Sequence, residues 1–179
     1  MKKIFIFIVT LTLILVANDK SNEHNSTLST AWNLKPLEVM YTLKYDENTS
    51  CLVRNIAVYK QPKWVAKIEI RNGKTVYFSS PKSLFEFYFR PGRWYDVGVR
   101  SERDFFKIVV TDYETLKPIN GEKAFYVYGS NQISPAGDDL PAFVTEEEAK
   151  KFSEEHNGKR IMRFKEVSDA LIRLLNGRI

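Results

Sequence analysis

The stretch that decides the fold occurs twice in the chain: residues 77–89 read YFSSPKSLFEFYF, and residues 142–156 read AFVTEEEAKKFSEEH. The two segments superpose at a shift of 65 residues, which matches Ser80 with Thr145. Each copy has an apolar strand end, a hydroxyl residue that can cap a helix, and apolar residues at helical spacing. The sequence therefore contains one structural unit twice.

The segments around the first copy predict three strands. KWVAKIEIRNGKTVYFSS at residues 63–80 places two β-rich runs on either side of an Asn-Gly pair, the strongest short signal for a hairpin. FFKIVVTDY at residues 105–113 is rich in β-branched side chains and predicts a buried strand after the helix. The first half, at about residues 51–113, thus reads strand-strand-helix-strand.

The second half, at about residues 122–166, has the same order. AFYVYGS and RIMRF predict strands before and after the helix, Thr145 and Glu148 predict a capping box, and Gly158 is expected to end the helix. A final helix is predicted at about residues 168–176. Because neither half can bury its apolar face alone, we expect both to share one core in an α+β fold with mainly antiparallel sheet.

The first residues predict export. MKKIFIFIVTLTLILVAND has two lysines, an apolar run from Ile4 to Ala17 and then polar residues, the pattern of a secretory signal. The run is shorter than the roughly 20 residues that span a bilayer, so we interpret residues 1–17 as a signal peptide or an uncleaved anchor. No cysteine lies directly after the run, and a lipoprotein is therefore not expected. We expect a periplasmic or cell-envelope protein that meets the membrane only through this segment.

The remaining chain divides into a spacer and a domain. Residues 18–36 are polar and predict a flexible spacer, and residues 37–179 form the predicted domain. Within it, a weakly alternating apolar stretch at residues 37–45 predicts an edge strand.

Composition argues against several function classes. The formal net charge is +5, but the basic residues are scattered without an arginine-rich run or stacking motif, so we expect no nucleic-acid binding. The chain has two histidines, and neither lies in a segment that obviously approaches the single cysteine. A thiol hydrolase needs such a histidine base, and no Gly-rich phosphate loop is present either. We therefore expect no enzyme activity.

Four strings, in order, resemble the NosL family: YKQPKWVAKI (59–68), GKTVYFSSPKSLFEFYF (73–89), IVVTDYETLKPINGEKAFYVYGS (108–130) and AFVTEEEAKKFSEEHNGKRIMRF (142–164). NosL proteins are exported copper-binding accessory factors for the maturation of nitrous oxide reductase. The resemblance implies a NosL/MerB-like fold of two strand-strand-helix-strand halves, which agrees with the internal repeat. It also implies nitrous oxide reductase or its maturation machinery as the partner.

The family's metal-ligand pattern is altered in this chain. The family pattern is cysteine-x-x-cysteine-glycine-methionine, and the same positions here read CLVRNI at residues 51–56. The first cysteine is present as Cys51, whereas Arg54 and Ile56 replace the second cysteine and the methionine. In a later loop, Ala136 and Asp138 stand where the family usually has a methionine and frequently a histidine.

These replacements decide what copper chemistry the sequence predicts. Cu(I) prefers two or three soft donors, so Cys51 alone does not make a site of useful affinity. Arg54 cannot ligate because its guanidinium is permanently protonated. Met40, 11 residues before Cys51, is the candidate second ligand, although an ordinary core or edge-strand side chain is the alternative interpretation. The single thiol also fits an intermolecular disulfide or a small buried apolar group.

A long loop offers a candidate partner surface. RPGRWYDVGVRSERDFF contains Arg93, Trp94 and Tyr95, and arginine with aromatic residues is favoured at protein interfaces. The alternative is a surface loop whose aromatic side chains turn inward. Two hypotheses follow: an accessory protein that carries Cu(I) on Cys51 and Met40, or a ligand-depleted relative that binds a protein partner without metal.

Overall fold

The computed structural model describes residues 40–177 and has the predicted α+β class with mainly antiparallel sheets. The predicted signal or anchor at residues 1–17 and the spacer at residues 18–36 lie outside the described residues. Among residues 40–177, no helix has the length and apolar character needed to cross a membrane.

The larger sheet has four antiparallel strands. In chain order they are β1 (Ala66–Ile70), β2 (Thr75–Phe78), β3 (Phe105–Thr111) and β4 (Pro118–Asn120), and in space their order is β2-β1-β3-β4. The predicted hairpin joins β1 to β2. Gly73 has a φ of 87°, and its N–H donates to the carbonyl of Ile70 at 2.9 Å. Glycine suits this position because a left-handed backbone has no steric penalty without a Cβ.

The smaller sheet repeats this arrangement. It consists of β5 (Phe125–Tyr128), β8 (Ala142–Phe143) and β9 (Arg160–Arg163), in the order β8-β5-β9. A short hairpin of β6 (Ile133–Ser134) and β7 (Gly137–Asp138) lies in the connection between β5 and β8. In both halves the first strand is central and the other two flank it. The internal repeat therefore predicted a real structural duplication.

Three helices complete the described fold: α1 (Pro81–Phe89), α2 (Glu146–Glu155) and α3 (Asp169–Leu175). The two repeated helices begin as predicted. At α1, Ser80 Oγ accepts the Ser83 N–H at 3.2 Å, and Pro81 occupies the first turn. At α2, Thr145 and Glu148 form the reciprocal capping box.

The end of α2 depends on two residues rather than one. Asn157 has the left-handed conformation, with a φ of 57°, and the Gly158 N–H donates to the Ser153 carbonyl at 2.8 Å. This is the bond pattern of a Schellman cap. Gly158 is required for space: a Cβ there would lie 2.6 Å from Val127 Cγ1 and 2.4 Å from Ser153 Oγ.

The apolar core crosses the boundary between the halves. Its main cluster combines first-half side chains of β1, β2 and α1 with a set from the rest of the chain: Ala124, Tyr126, Leu140, Ala142, Met162, Phe164, Val167 and Ile172. A second cluster places Trp64 of the first half against Phe143 and Phe152 of the second. The two halves thus share apolar packing, as the burial argument predicted.

A buried aspartate joins the two halves at the end of β3. Asp112 is fully buried; its Oδ1 accepts the Val144 N–H at 2.9 Å, and its Oδ2 accepts the N–H and hydroxyl of Thr115 at 2.9 and 2.6 Å. A β-bridge also pairs Asp112 with Ala142 of β8. One carboxylate therefore holds both a local turn and the junction between the sheets.

The predicted edge strand at residues 37–45 is not found in its described part. Residues 40–45 form no strand. Instead, the Tyr41 hydroxyl accepts a hydrogen bond from Asn120 of β4 at 2.7 Å, and the Lys44 carbonyl accepts one from the hydroxyl of Tyr77 in β2. Because these contacts join the two edge strands of the larger sheet, the segment crosses the sheet instead of extending it.

Candidate functional site

The turn at residues 51–56 holds Cys51 against the edge of the larger sheet. The Cys51 N–H donates to the Ile56 carbonyl at 2.8 Å, and the next N–H, that of Leu52, donates to the Tyr77 carbonyl at 2.9 Å. Asn55 has a φ of 54°, a left-handed conformation that asparagine adopts more readily than most residues. This tight turn leaves Cys51 only 2% exposed, with Sγ accepting the Arg54 N–H at 3.3 Å.

The Arg54 guanidinium contacts three residues in two other segments, rather than the sulfur. It donates to Ser83 Oγ at 3.3 Å, to Glu86 Oε2 at 3.0 Å and to Asn176 Oδ1 at 2.7 Å. Glu86 is buried in α1 and also pairs with Arg93 at 3.1 Å. The position of the family's second cysteine therefore holds a cation that links the Cys51 turn to α1 and to the end of α3.

A buried lysine binds the later loop. Lys82 Nζ donates to the carbonyls of Ala136 at 2.5 Å and Leu175 at 3.2 Å. Its backbone N–H donates to Asp139 Oδ1 at 2.7 Å, while Ser134 Oγ donates to Asp139 Oδ2 at 2.6 Å. Burial lowers the pKa of Lys82 and raises the pKa of Asp139, because both lose hydration of the charged form.

The two loops that carry the family's ligand positions converge. Ile56 from the first loop and Pro135, adjacent to Ala136, from the second line one cavity of 490 Å³ together with Ala57 and Ile133. None of these side chains is a soft metal donor. Across residues 40–177, no group of three or more His, Cys, Asp or Glu side chains is arranged to hold a metal ion.

The structure does not bring the predicted ligands Cys51 and Met40 into contact. Met40 is 77% exposed, and the adjacent Tyr41 contacts β4, whereas Cys51 pairs with Tyr77 in β2. These strands are the two edges of a four-stranded sheet, roughly 14 Å apart at a spacing of about 4.8 Å per strand. Ligation by this pair stays a prediction, and it requires residue 40 to move across the sheet.

The other borderline donors have structural surroundings. His156 follows α2, where its ring packs against that of Phe152 with centroids 4.4 Å apart and a tilt of 45°, and its Nδ1 lies 3.2 Å from Gln132 Nε2. Met162 is buried in the core cluster. His24 lies outside the described residues.

The three candidate partner residues have different environments. The Arg93 guanidinium is paired with Glu86, and the Trp94 ring packs against Phe87 with centroids 5.7 Å apart. Tyr95 is 87% exposed. The loop is therefore anchored by Arg93 and Trp94, and of the three only Tyr95 presents most of its side chain to a partner.

The sequence did not lead us to predict that polar and charged side chains of α1 are buried. Lys82, Ser83 and Glu86 are all buried, although α1 appeared to be a simple amphipathic helix. The available signal was their spacing, because Lys82 and Glu86 are four residues apart and share a face with Ser83. That face contacts the loops and α3 instead of solvent.

Comparisons with known proteins agree with this architecture. The NosL family model matches residues 42–172. Among solved structures, the chain is similar to the crystal structure of the copper chaperone NosL from Shewanella denitrificans, with a TM-score of 0.63 and 22% sequence identity, covering 72% of this chain and 96% of that chain. At this identity the structural likeness establishes the fold alone. A comparison with curated protein sequences finds no match.

Proposed function

The chain belongs to the NosL family, and from this premise we propose that it is an exported, non-catalytic accessory protein that assists the maturation of nitrous oxide reductase. The family match over residues 42–172 supports an accessory role, and the name of the similar solved protein, a copper chaperone, supports a role connected with copper. The proposed compartment is the periplasm or cell envelope, because residues 1–17 have the pattern of a secretory signal.

Copper in this role would be cargo, and the described residues do not fit a Cu(I) site of their own. Cu(I) needs a second soft donor near the first. Arg54 occupies the position of the family's second cysteine, and its guanidinium is held by Glu86 and Asn176. This arrangement of Arg54 carries the conclusion that the chain acts by binding a protein partner without its own copper ion.

Retention of Cys51 favours one second candidate. In that candidate the chain carries Cu(I) on Cys51, and the second donor is Met40 or a group supplied by the partner. Cys51 is 2% exposed, so copper transfer would require residues 51–56 to open. This opening distinguishes the second candidate from the first, in which the turn stays closed.

A copper titration separates the two candidates. The full chain is titrated anaerobically with Cu(I) in competition with a chromophoric chelator, beside the Cys51→Ser and Met40→Leu variants. We expect no stoichiometric copper on any of the three. If the wild type binds one equivalent of Cu(I) and Cys51→Ser binds none, the second candidate is correct. If Met40→Leu also loses the copper, Met40 is the second ligand.

The accessory role itself has a cellular test. In a strain lacking the gene, we expect nitrous oxide reductase with a reduced copper content, measured by elemental analysis of the purified enzyme. Expression of the Cys51→Ser variant should restore the copper content if the chain acts without holding copper. Unchanged copper content in the deletion strain would contradict the accessory role.

A further inference from the structure

Three exposed arginines lie near the end of the long loop, and two of them, Arg71 and Arg100, are attracted to the Asp104 carboxylate. They are Arg71, at the tip of the β1–β2 hairpin, and Arg100 and Arg103, in the loop before β3. None of the three forms a salt bridge within the described part of the chain, whereas Arg54, Arg90, Arg93 and Arg160 all do. Surface guanidinium groups that form no salt bridge can bind further carboxylates, because they offer several donors in a planar arrangement.

A capped turn holds these arginines in place. Asp104 Oδ2 accepts the N–H of Arg100 at 2.7 Å and that of Ser101 at 3.1 Å. These two hydrogen bonds fix the backbone of the turn at the protein surface. Arg71 joins the same turn: its N–H donates to the Asp104 carbonyl at 2.8 Å, and its Nε donates to the Arg103 carbonyl at 2.9 Å. Backbone positions fixed in this way reduce the entropy lost on binding.

Two cavities with aromatic walls open beside these arginines. One, of 270 Å³, is lined by Tyr88, Arg103 and Phe106, and the other, of 510 Å³, is lined by Phe89, Arg100 and Arg103. Phe106 is 61% exposed, and the Arg71 guanidinium lies 5.9 Å from its ring centroid.

The acidic residues at this surface do not neutralise it. Glu102 and Glu122 line the first cavity beside Arg103 and Lys107. The Glu102 carboxylate already accepts a hydrogen bond from the Tyr88 hydroxyl at 3.3 Å. With Arg71 and Asp104 included, the four cations Arg71, Arg100, Arg103 and Lys107 outnumber the three carboxylates of Glu102, Asp104 and Glu122 by one.

We propose that this surface, formed by Arg71, Arg100, Arg103 and Phe106, binds an acidic segment of a protein partner that inserts a large apolar side chain into one of the cavities. The inference rests on the proposed function, because it names the surface and the chemistry of the partner. This proposal places the partner contact on the later part of the long loop, and not on Arg93 and Trp94, whose side chains are engaged within the fold. The concave walls favour an inserted side chain over a lipid surface.

The test uses the full chain in mild detergent and a fluorescein-labelled peptide, Glu-Asp-Phe-Asp-Glu, followed by fluorescence anisotropy. Two control peptides replace the acids by Gln and Asn, or the Phe by Ser. The variant is Arg100→Gln/Arg103→Gln, and the matched control is Lys150→Gln/Lys151→Gln, which removes two charges from α2. Vesicles of phosphatidylglycerol provide the lipid arm, and circular dichroism checks the fold of each variant.

We expect the acidic Phe peptide to bind more tightly than both control peptides, and to lose affinity as salt is added. The double arginine variant should bind it about tenfold more weakly, while the lysine variant is unchanged. Equal binding by the two variants, or no preference for the acidic Phe peptide, overturns the proposal. Vesicle binding without peptide binding also overturns it, in favour of a lipid surface. The copper titration and the deletion strain do not use this surface as a readout, so failure here is distinguishable from failure of the accessory role.

Discussion

At the residue scale, the Arg54–Glu86 pair defines the region where the family's ligands would lie. Glu86 is 4% exposed and accepts hydrogen bonds from Arg54, Arg93 and Asn176. Removal of one member of a buried ion pair is costly because the remaining charges lose their partner in a poorly hydrated place. Glu86 therefore joins Arg54 of the Cys51 turn to Arg93 and Asn176.

We expect Glu86→Gln to lower the free energy of unfolding by about 2–3 kcal/mol, somewhat below the range for fully buried pairs because both arginines are partly exposed. Urea denaturation measures the change. The control is Lys150→Ala, which breaks the exposed pair with Glu146 and should leave stability nearly unchanged. Equal effects of the two substitutions would contradict the role of Glu86.

The buried carboxyl group of Asp139 should make the free energy of unfolding depend on pH. Burial raises the pKa of Asp139 above its ordinary value of 3.8, so the folded state keeps a proton that the unfolded state releases. Its contribution to the free energy of unfolding must then fall as the pH rises above about 4. We expect Asp139→Asn to remove this decline, as measured by urea denaturation at a series of pH values. A wild type that gains stability relative to Asp139→Asn over that range would contradict the direction.

Single residues show why the candidate site was only partly predictable. Cys51 was identified as a candidate ligand because it is the single thiol of the chain and residues 51–56 align with the cysteine pattern of the NosL family. The partners of Arg54 were not, because Glu86 and Asn176 lie 32 and 122 residues away in sequence. Contacts over such distances leave no periodic signal in a single chain.

At the element scale, the Schellman cap of α2 sets the direction of β9. We expect Gly158→Ala to destabilise the protein by about 1–3 kcal/mol, because the new methyl group would overlap Val127 and Ser153. Thermal and urea unfolding measure the loss. Gly92→Ala is the matched control, since nothing lies within 4 Å of its added Cβ. A harmless Gly158→Ala would show that the chain relaxes there.

Elements with local signals were predicted well. The Asn-Gly hairpin, the Ser80 cap and the Thr145–Glu148 capping box all depend on residues within a few positions of one another. The segment at residues 40–45 was predicted wrongly as a strand, because the contacts of Tyr41 and Lys44 with the larger sheet override a weak alternation. Tertiary contacts of this kind compete with local preference.

At the scale of the whole molecule, the duplicated halves are joined by the shared core and by Asp112. We expect Asp112→Ala to lower the free energy of unfolding by about 2–4 kcal/mol, because it leaves the Val144 N–H and the N–H and hydroxyl of Thr115 without their acceptor at a buried position. The wild type should unfold in one transition, with tryptophan fluorescence and circular dichroism coincident. The exposed Asp46, which caps a local turn, is the control, and Asp46→Ala should have little effect.

Two separate transitions in the wild type would contradict a shared core.

The repeat was visible in the sequence because both copies carry the same caps and apolar spacing. The convergence of Ile56 with Pro135 was not visible, because it depends on how two irregular loops pack against the two halves.

The most direct test of the account is the number of Cu(I) ions held per full chain at equilibrium with a chromophoric chelator, compared between the wild type and Arg54→Cys/Ile56→Met. The account predicts no stoichiometric copper on the wild type and a gain of copper in the variant, which regains two soft donors beside Cys51. One tightly held Cu(I) on the wild type would contradict it.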